Sequence, residues 1–146
     1  MFRGSAPAKI DDKGRLKVPT GFLRILEESY GPDLFVTSVK GDAAHLYPLE
    51  VWVQIEERLR QMPSTDPQRQ KYIERTNYFG QQVRLDAQGR ILISQILREA
   101  AGLTAEVVIN AQLDHLVVWN RERMERRVAE EPFTEDDFRA LAERGI

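Results

Sequence analysis

The sequence contains no cysteine among its 146 residues, and this absence removes several classes of protein. Without cysteine there is no disulfide framework, no thiolate metal site and no cysteine nucleophile. Glycine and proline are also scarce, at nine and seven residues, which excludes collagen-like and low-complexity chains. No apolar run approaches the roughly 18 residues of a membrane span, and the first residues lack the apolar core of a signal peptide. These absences predict a globular cytoplasmic protein that does not bind membranes.

Enzyme and cofactor signatures are missing as well. The sequence has no Gly-x-Ser-x-Gly nucleophile turn, no phosphate-binding loop, no dinucleotide-binding glycine pattern and no His-Glu-x-x-His zinc motif. The two histidines, His45 and His115, have no neighbour at ligand spacing, so we interpret them as ordinary strand or turn residues. We therefore predict that the protein is not an enzyme and has no cofactor, metal or small-molecule substrate.

The chain does contain an internal repeat. Residues 10–18 (IDDKGRLKV) align without gaps on residues 85–93 (LDAQGRILI), 75 positions later. Similarity at a fixed offset indicates two copies of one structural unit. In each copy the local signals predict, in order, two strands joined by a turn, a helix, a two-stranded hairpin and a second helix, which is an α+β pattern.

Local signals also divide the chain into four segments. The proline-rich stretch 63–67 ends in Asp66-Pro67, a good helix start, so it predicts a connecting helix rather than a loose linker. We assign 1–62 and 80–131 to the two copies, 63–79 to the connecting helix and 132–146 to a C-terminal helix. The helices are expected to begin at side chains that cap them, namely Thr20, Asp66, Ser94, Asn120 and Thr134.

Positive charge is concentrated near the start of the chain, although the net charge is −2. Residues 1–24 carry six basic and two acidic residues, a local net charge of +4. A polyanion responds to charge within a Debye length of about 8 Å, so the local excess matters more than the total. The basic residues of this segment are Arg3, Lys9, Lys13, Arg15, Lys17 and Arg24.

The repeated motif Asp-x-x-Gly-Arg places the same turn and the same guanidinium in both copies. Its aspartates and glycines, Asp11, Gly14, Asp86 and Gly89, are predicted to form the turns, because glycine accepts positive φ and aspartate accepts backbone N–H groups. Two interpretations of the arginines remain open. Arg15 and Arg90 either close their turns as ion pairs with Asp11 and Asp86, or face solvent and bind nucleic acid.

The nucleic-acid interpretation gives the basic residues distinct tasks. Lys9, Lys13 and Lys17 would contact phosphates together with Arg15, while Arg15 or Arg90 would reach a guanine edge, for which a planar guanidinium is suited. In the second motif Gln88 and Leu92 replace Lys13 and Lys17, so that motif is expected to carry fewer cations.

Several motifs together resemble the MraZ family of bacterial transcriptional regulators, in order over residues 1–125. They are the segments 1–4 (MFRG), 11–15 (DDKGR), 78–80 (YFG), 85–93 (LDAQGRILI), 97–103 (LREAAGL) and 112–115 (QLDH), with Trp119. The resemblance implies two tandem AbrB-like swapped-hairpin halves that interlock into one pseudo-twofold β-barrel with flanking helices. It also implies that the motif arginines, Arg15 and Arg90, contact double-stranded DNA.

The resemblance carries further expectations about assembly and role. It implies a ring-shaped homo-oligomer, associated with the nucleoid, that binds short direct repeats in the promoter of the division and cell-wall gene cluster. We expect the DNA-binding set to comprise Arg15, Arg90, Lys13, Lys17, Lys9 and Gln88. The alternative function is that of an AbrB-like antitoxin, which binds DNA and uses the acidic segment 130–138 to hold a toxin partner.

Overall fold

The computed structural model describes residues 1–146 and has an α+β fold. The eight strands are β1 (Ser5–Lys9), β2 (Arg15–Lys17), β3 (Asp33–Thr37), β4 (Ala44–Pro48), β5 (Gln81–Arg84), β6 (Arg90–Leu92), β7 (Glu106–Ala111) and β8 (Leu116–Asn120). The six helices are α1 (Thr20–Ser29), α2 (Leu49–Arg60), α3 (Pro67–Tyr78), α4 (Gln95–Ala101), α5 (Arg121–Glu130) and α6 (Glu135–Ala142). None of these helices is both long and apolar enough to cross a membrane.

The strands form a six-stranded sheet, in the order β1-β7-β8-β4-β3-β5, and a two-stranded ribbon of β2 and β6. Every strand pair is antiparallel. Strand β1 of the first copy pairs with β7 of the second, and β5 of the second copy pairs with β3 of the first. The sheet order is unchanged when the two copies are exchanged and the sheet is read from its other edge. The copies are therefore interlocked about a pseudo-twofold relation.

Both copies contribute equivalent residues to a single hydrophobic core of 19 buried side chains. At the 75-residue offset, Leu16 corresponds to Ile91 and Val18 to Ile93, and all four are almost completely buried. Because both copies bury their apolar side chains in this one cluster, neither copy has a complete core of its own. The cluster comprises Phe2, Ile10, Leu16, Val18, Phe22, Leu26, Leu34, Val36, Ala44, Leu46, Ile91, Ile93, Leu97, Ala101, Leu103, Val107, Ile109, Leu116 and Val118.

Four of the five predicted helix caps are confirmed. The side chains of Asp66, Ser94, Asn120 and Thr134 each accept a hydrogen bond from the backbone N–H three residues later. The prediction for Thr20 is wrong. The carbonyl of Pro19 already accepts from the N–H of Leu23 at 2.9 Å, so the helix starts one residue earlier and Thr20 lies inside it without a capping bond.

Candidate nucleic-acid interface

The ribbon of β2 and β6 places both motif arginines on one surface. Its register pairs Arg15 with Leu92, Leu16 with Ile91, and Lys17 with Arg90. Since side chains alternate along a strand, Leu16 and Ile91 point to one face, where they are 0% and 1% exposed. The other four side chains share the opposite face, which we call the outward face of the ribbon: Arg15, Lys17, Arg90 and Leu92.

The first turn is held by the carboxylate of Asp11. Its Oδ1 accepts from the backbone N–H of Lys13 at 3.0 Å and of Arg15 at 2.9 Å. Its Oδ2 accepts from Nε of Arg15 at 2.8 Å. Gly14 has a φ of +84°, a conformation that favours glycine and lets the chain reverse within four residues.

The second turn has the same hydrogen bonds as the first. Oδ1 of Asp86 accepts from the backbone N–H groups of Gln88 and Arg90, both at 2.9 Å. Oδ2 accepts from Nε of Arg90, also at 2.9 Å, and Gly89 has a φ of +72°. The duplicated motif thus produces the same turn twice, on opposite ends of the ribbon.

Hydrogen bonding lowers the pKa of both turn aspartates below their ordinary value of 3.8. For Asp11 the largest cause is the bond from the backbone N–H of Arg15, and for Asp86 it is the bond from the backbone N–H of Arg90. Partial desolvation opposes this shift, and the guanidinium of each arginine supports it. Both carboxylates are therefore charged at neutral pH, and each offsets part of the charge of its arginine.

The ion-pair interpretation of the arginines is thus correct in its geometry, but the pair leaves most of each guanidinium free. Only Nε of Arg15 and of Arg90 is bonded to its aspartate, and the terminal nitrogens have no hydrogen-bond partner in the chain. The two side chains remain 34% and 27% exposed. The aspartates therefore fix the direction of the guanidinium groups, whose outer N–H donors can bind a ligand.

The interlocked pairing distributes the cations differently from the sequence expectation. Lys17 belongs to the first motif, but its Nζ donates to the carbonyl of Gln88 in the second turn at 2.5 Å. The second motif has fewer cations in its own sequence, as expected, but β2 brings Lys17 to the second turn. Lys13 lies exposed in the first turn, and Lys9 lies exposed at the end of the edge strand β1.

Sequence reasoning missed a second guanidinium beside the first turn. Arg98, on α4, donates from Nε to the carbonyl of Ile93 at 2.8 Å. It packs so closely on Gly14 that a Cβ at that glycine would lie 2.5 Å from Nε of Arg98. At the 75-residue offset the corresponding residue is Leu23, which packs in the same way on Gly89. The 75-residue offset is the sequence signal that could have identified Arg98 and Leu23 as equivalent positions.

The two histidines lie away from the ribbon and are in contact with each other. Nδ1 of His45 and Nε2 of His115 are 3.3 Å apart, and the ring of His115 stacks on Tyr47 with centroids 4.2 Å apart. As expected for strand or turn residues, His45 lies in β4 and His115 in the turn before β8, and the pairing of β4 with β8 brings the two rings together. No group of three or more potential ligands surrounds a metal position anywhere in the chain.

Burial lowers the pKa of His45 from 6.5 to about 4, and the nearby His115 contributes in the same direction. The folded protein therefore keeps His45 neutral where the unfolded chain binds a proton. We expect the stability present above pH 6.5 to be lost as the pH falls from 6.5 to about 4, by up to about 1.4 kcal/mol per pH unit. Urea unfolding across this range measures the slope.

The matched variant for this pH prediction is His45→Gln, which removes the titrating group. Its unfolding free energy should vary less with pH over the same range. The turn aspartates contribute only toward the acid end of this range, because their unfolded-state pKa is 3.8 and folding lowers it, and they are present in wild type and variant alike. Equal slopes for wild type and variant would contradict the assignment to His45.

A comparison with known families matches both halves of the chain. The family described as "MraZ protein, putative antitoxin-like" matches residues 1–73 and 80–144. The chain belongs to the MraZ family. MraZ is a family of transcriptional regulators and not of enzymes.

Individual MraZ relatives align over most or all of the chain. Proteins named transcriptional regulator MraZ from Acidobacterium capsulatum and Koribacter versatilis are 44% and 46% identical to it, over the full length of both chains in each case. The protein of that name from Escherichia coli is 33% identical over 132 residues, which is 90% of this chain and 87% of the relative.

Proposed function

We propose that this protein regulates transcription by binding specific sequences in double-stranded DNA, and that the ribbon is the element that enters the major groove. The observation that carries the proposal is the row of Arg15, Lys17 and Arg90 on the outward face of the ribbon. A two-stranded β-ribbon fits the major groove, which is about 12 Å wide, and guanidinium groups there favour guanine edges. Membership of the MraZ family supports this proposal.

The proposed contacts divide into base readout and phosphate binding. Arg15 and Arg90 are assigned to base edges, because their aspartates hold them in one direction with the terminal nitrogens free. The lysines are assigned to phosphates, with Lys17 in this row, Lys13 in the first turn and Lys9 at the end of β1. Gln88 is exposed in the second turn and can present its amide to a phosphate or a base. The phosphate-binding lysines are Lys9, Lys13 and Lys17.

A ring of subunits would reconcile DNA binding with a net charge of −2. A single ribbon offers few contacts. In a rigid assembly with several ribbons, each ribbon would contact one repeat of a direct-repeat operator. The second and later contacts are then intramolecular, so affinity rises by effective concentration without further charge. We propose such a ring, bound in the nucleoid at short direct repeats upstream of the division and cell-wall genes.

The proposed architecture is a pseudo-twofold barrel built from halves 1–62 and 80–131, with 63–79 as the connecting helix and 132–146 as the C-terminal helix. Three features support it. The sheet order is symmetric between the copies. Ile10 bridges to Leu16 at the junction of β1 and β2. Strands β1 and β5, the two edges of the sheet, lead through the motif turns into the two strands of the ribbon.

The test is selection of bound sequences from a random duplex library by the purified protein. Spaced copies of one short sequence are expected, and binding to them should weaken steeply with salt, because each phosphate contact releases counterions. Mass measurement at the same concentration should find a closed oligomer. Selection without enrichment would contradict sequence-specific binding, and a monomer that binds as tightly would contradict the ring.

The antitoxin alternative has one structural feature in its favour. Helix α6 has no buried residue, and its exposed Phe138 contacts Phe133, which precedes the helix, beside an acidic first turn. However, α6 begins with a complete capping box, in which Thr134 and Asp137 bond reciprocally. An ordered helix and two DNA-binding motifs in one chain differ from the single motif and disordered tail typical of AbrB-like antitoxins, so we place regulation of transcription first.

A further inference from the structure

The outward face of the ribbon is symmetric in its arginines and asymmetric in its other two residues. Exchange of the two copies maps Arg15 onto Arg90, since they are 75 residues apart and occupy equivalent turns. The same exchange maps Lys17 onto Leu92. A ribbon read only through its arginines would fit a site equally well in two opposite orientations. Lys17 and Leu92 break that equivalence.

Leu92 is an exposed apolar residue in an otherwise cationic row. Its neighbour Ile91 fills the core, whereas Leu92 is 43% exposed on the opposite face. A single exposed leucine is ordinary on a protein surface. The position is what distinguishes this one, because it lies directly across the ribbon from Arg15. A DNA edge bound against this face at Arg15 would therefore lie beside Leu92.

The major groove offers one apolar group for such a side chain, the 5-methyl of thymine. Residues directly opposite each other on paired strands have Cβ atoms about 4.5–5.5 Å apart, and successive base pairs are about 3.4 Å apart along the duplex. Arg15 and Leu92 can therefore reach neighbouring base pairs. Lys17, at the other end of the ribbon, offers only charged donors.

We propose that Leu92 reads the 5-methyl group of a thymine next to the guanine contacted by Arg15, and that the Leu92–Lys17 asymmetry sets the orientation of each subunit on DNA. This inference rests on the proposed function of the ribbon. In the proposed ring the subunits follow one another head to tail, so a subunit with one preferred orientation selects repeats that all run in the same direction. Within such a ring, the asymmetric pair supplies a physical reason for direct rather than inverted repeats.

The experiment replaces each thymine of a selected three-repeat duplex, one at a time, with deoxyuridine, which removes only the methyl group. Wild-type binding should weaken about fourfold at one thymine position in a repeat, the effect of losing one buried methyl group. Leu92→Ala should bind the thymine and uracil duplexes equally at that position. The control Val53→Ala truncates another apolar residue that is 43% exposed, on α2, and should behave like wild type.

The sensitive thymine should lie on the same strand and at the same offset in all three repeats. Specific binding by wild type without any sensitive thymine would overturn the proposal, as would a Leu92→Ala variant that keeps the sensitivity. Sensitive positions that alternate between strands would overturn the assigned orientation. A wild-type protein that shows no sequence-specific binding is a different result, since it would overturn the proposed function of the ribbon as well.

Discussion

The double variant Arg15→Ala, Arg90→Ala is expected to lose specific DNA binding while keeping its fold. A guanidinium that contacts a guanine edge contributes about 1–3 kcal/mol of discrimination, so the pair should cost at least about 2 kcal/mol per subunit, or roughly thirtyfold. In a multivalent assembly this loss recurs at every repeat. Fluorescence anisotropy with the selected duplex measures the affinity, and circular dichroism with thermal unfolding measures the fold.

The control for this variant removes two arginines that form ion pairs elsewhere. Arg60 pairs with Glu57 on α2, and Arg139 pairs with Asp136 on α6, so Arg60→Ala, Arg139→Ala makes the same change in net charge. Its specific binding should stay close to that of wild type. Equal losses for the two double variants would mean that DNA responds to net charge and that the ribbon has no special role.

The same variants separate readout from turn closure. Exposed ion pairs contribute little to stability, so the bonds from Arg15 to Asp11 and from Arg90 to Asp86 account for little of the folding free energy. Since these bonds are present under both interpretations, the double variant should melt close to wild type in either case. If the arginines only close their turns, it should bind DNA normally, and if they read DNA, it should bind poorly. The affinity for DNA therefore decides between the two interpretations.

Local features of the fold were predictable because they depend on neighbours in sequence. Alternation of Arg15, Leu16 and Lys17 identified which side chains face out, and capping residues located four helix starts. The error at Thr20 is also local, since the carbonyl of Pro19 begins the helix one residue earlier. Such signals give the face and the end of an element, but not its partner.

Partners across the two copies could not be derived from the pattern. Both copies carry the same alternation, so pairing within a copy and between copies looks identical in sequence, and only the family resemblance implied interlocking. The consequences appear at particular residues: Lys17 reaches Gln88, Arg98 packs on Gly14, and His45 meets His115. Each contact joins residues at least 70 positions apart, at a distance where periodicity carries no information.

In the candidate site, too, the local features could be predicted from the sequence, but the partners across the two copies could not. The turns and the outward direction of Arg15 and Arg90 were predictable, because the Asp-x-x-Gly-Arg motif contains the acceptor, the glycine and the guanidinium within five residues. The place of Leu92 was not, because its importance comes from lying across the ribbon from Arg15. In the sequence it is only the last outward residue of a short strand.

Ile91→Ala is expected to produce the largest loss of stability among single changes in the ribbon. Ile91 is 1% exposed and pairs with Leu16, so this pair joins the two copies beneath the outward face of the ribbon. Truncation of a buried isoleucine costs about 2–5 kcal/mol through lost burial and a residual cavity, against a typical total of about 5–15 kcal/mol. Urea unfolding at fixed protein concentration measures the change in midpoint.

The neighbouring residue provides the matched control, because Leu92→Ala removes an apolar side chain from the same strand on its exposed side. Its stability should stay within about 0.5 kcal/mol of wild type, whereas its thymine sensitivity should disappear. Ile91→Ala should instead affect stability most, with an unfolding midpoint far below that of wild type. A midpoint close to wild type for Ile91→Ala would mean that the ribbon is not anchored through the shared core, and the fixed direction of Arg15 and Arg90 would then rest on their turns alone.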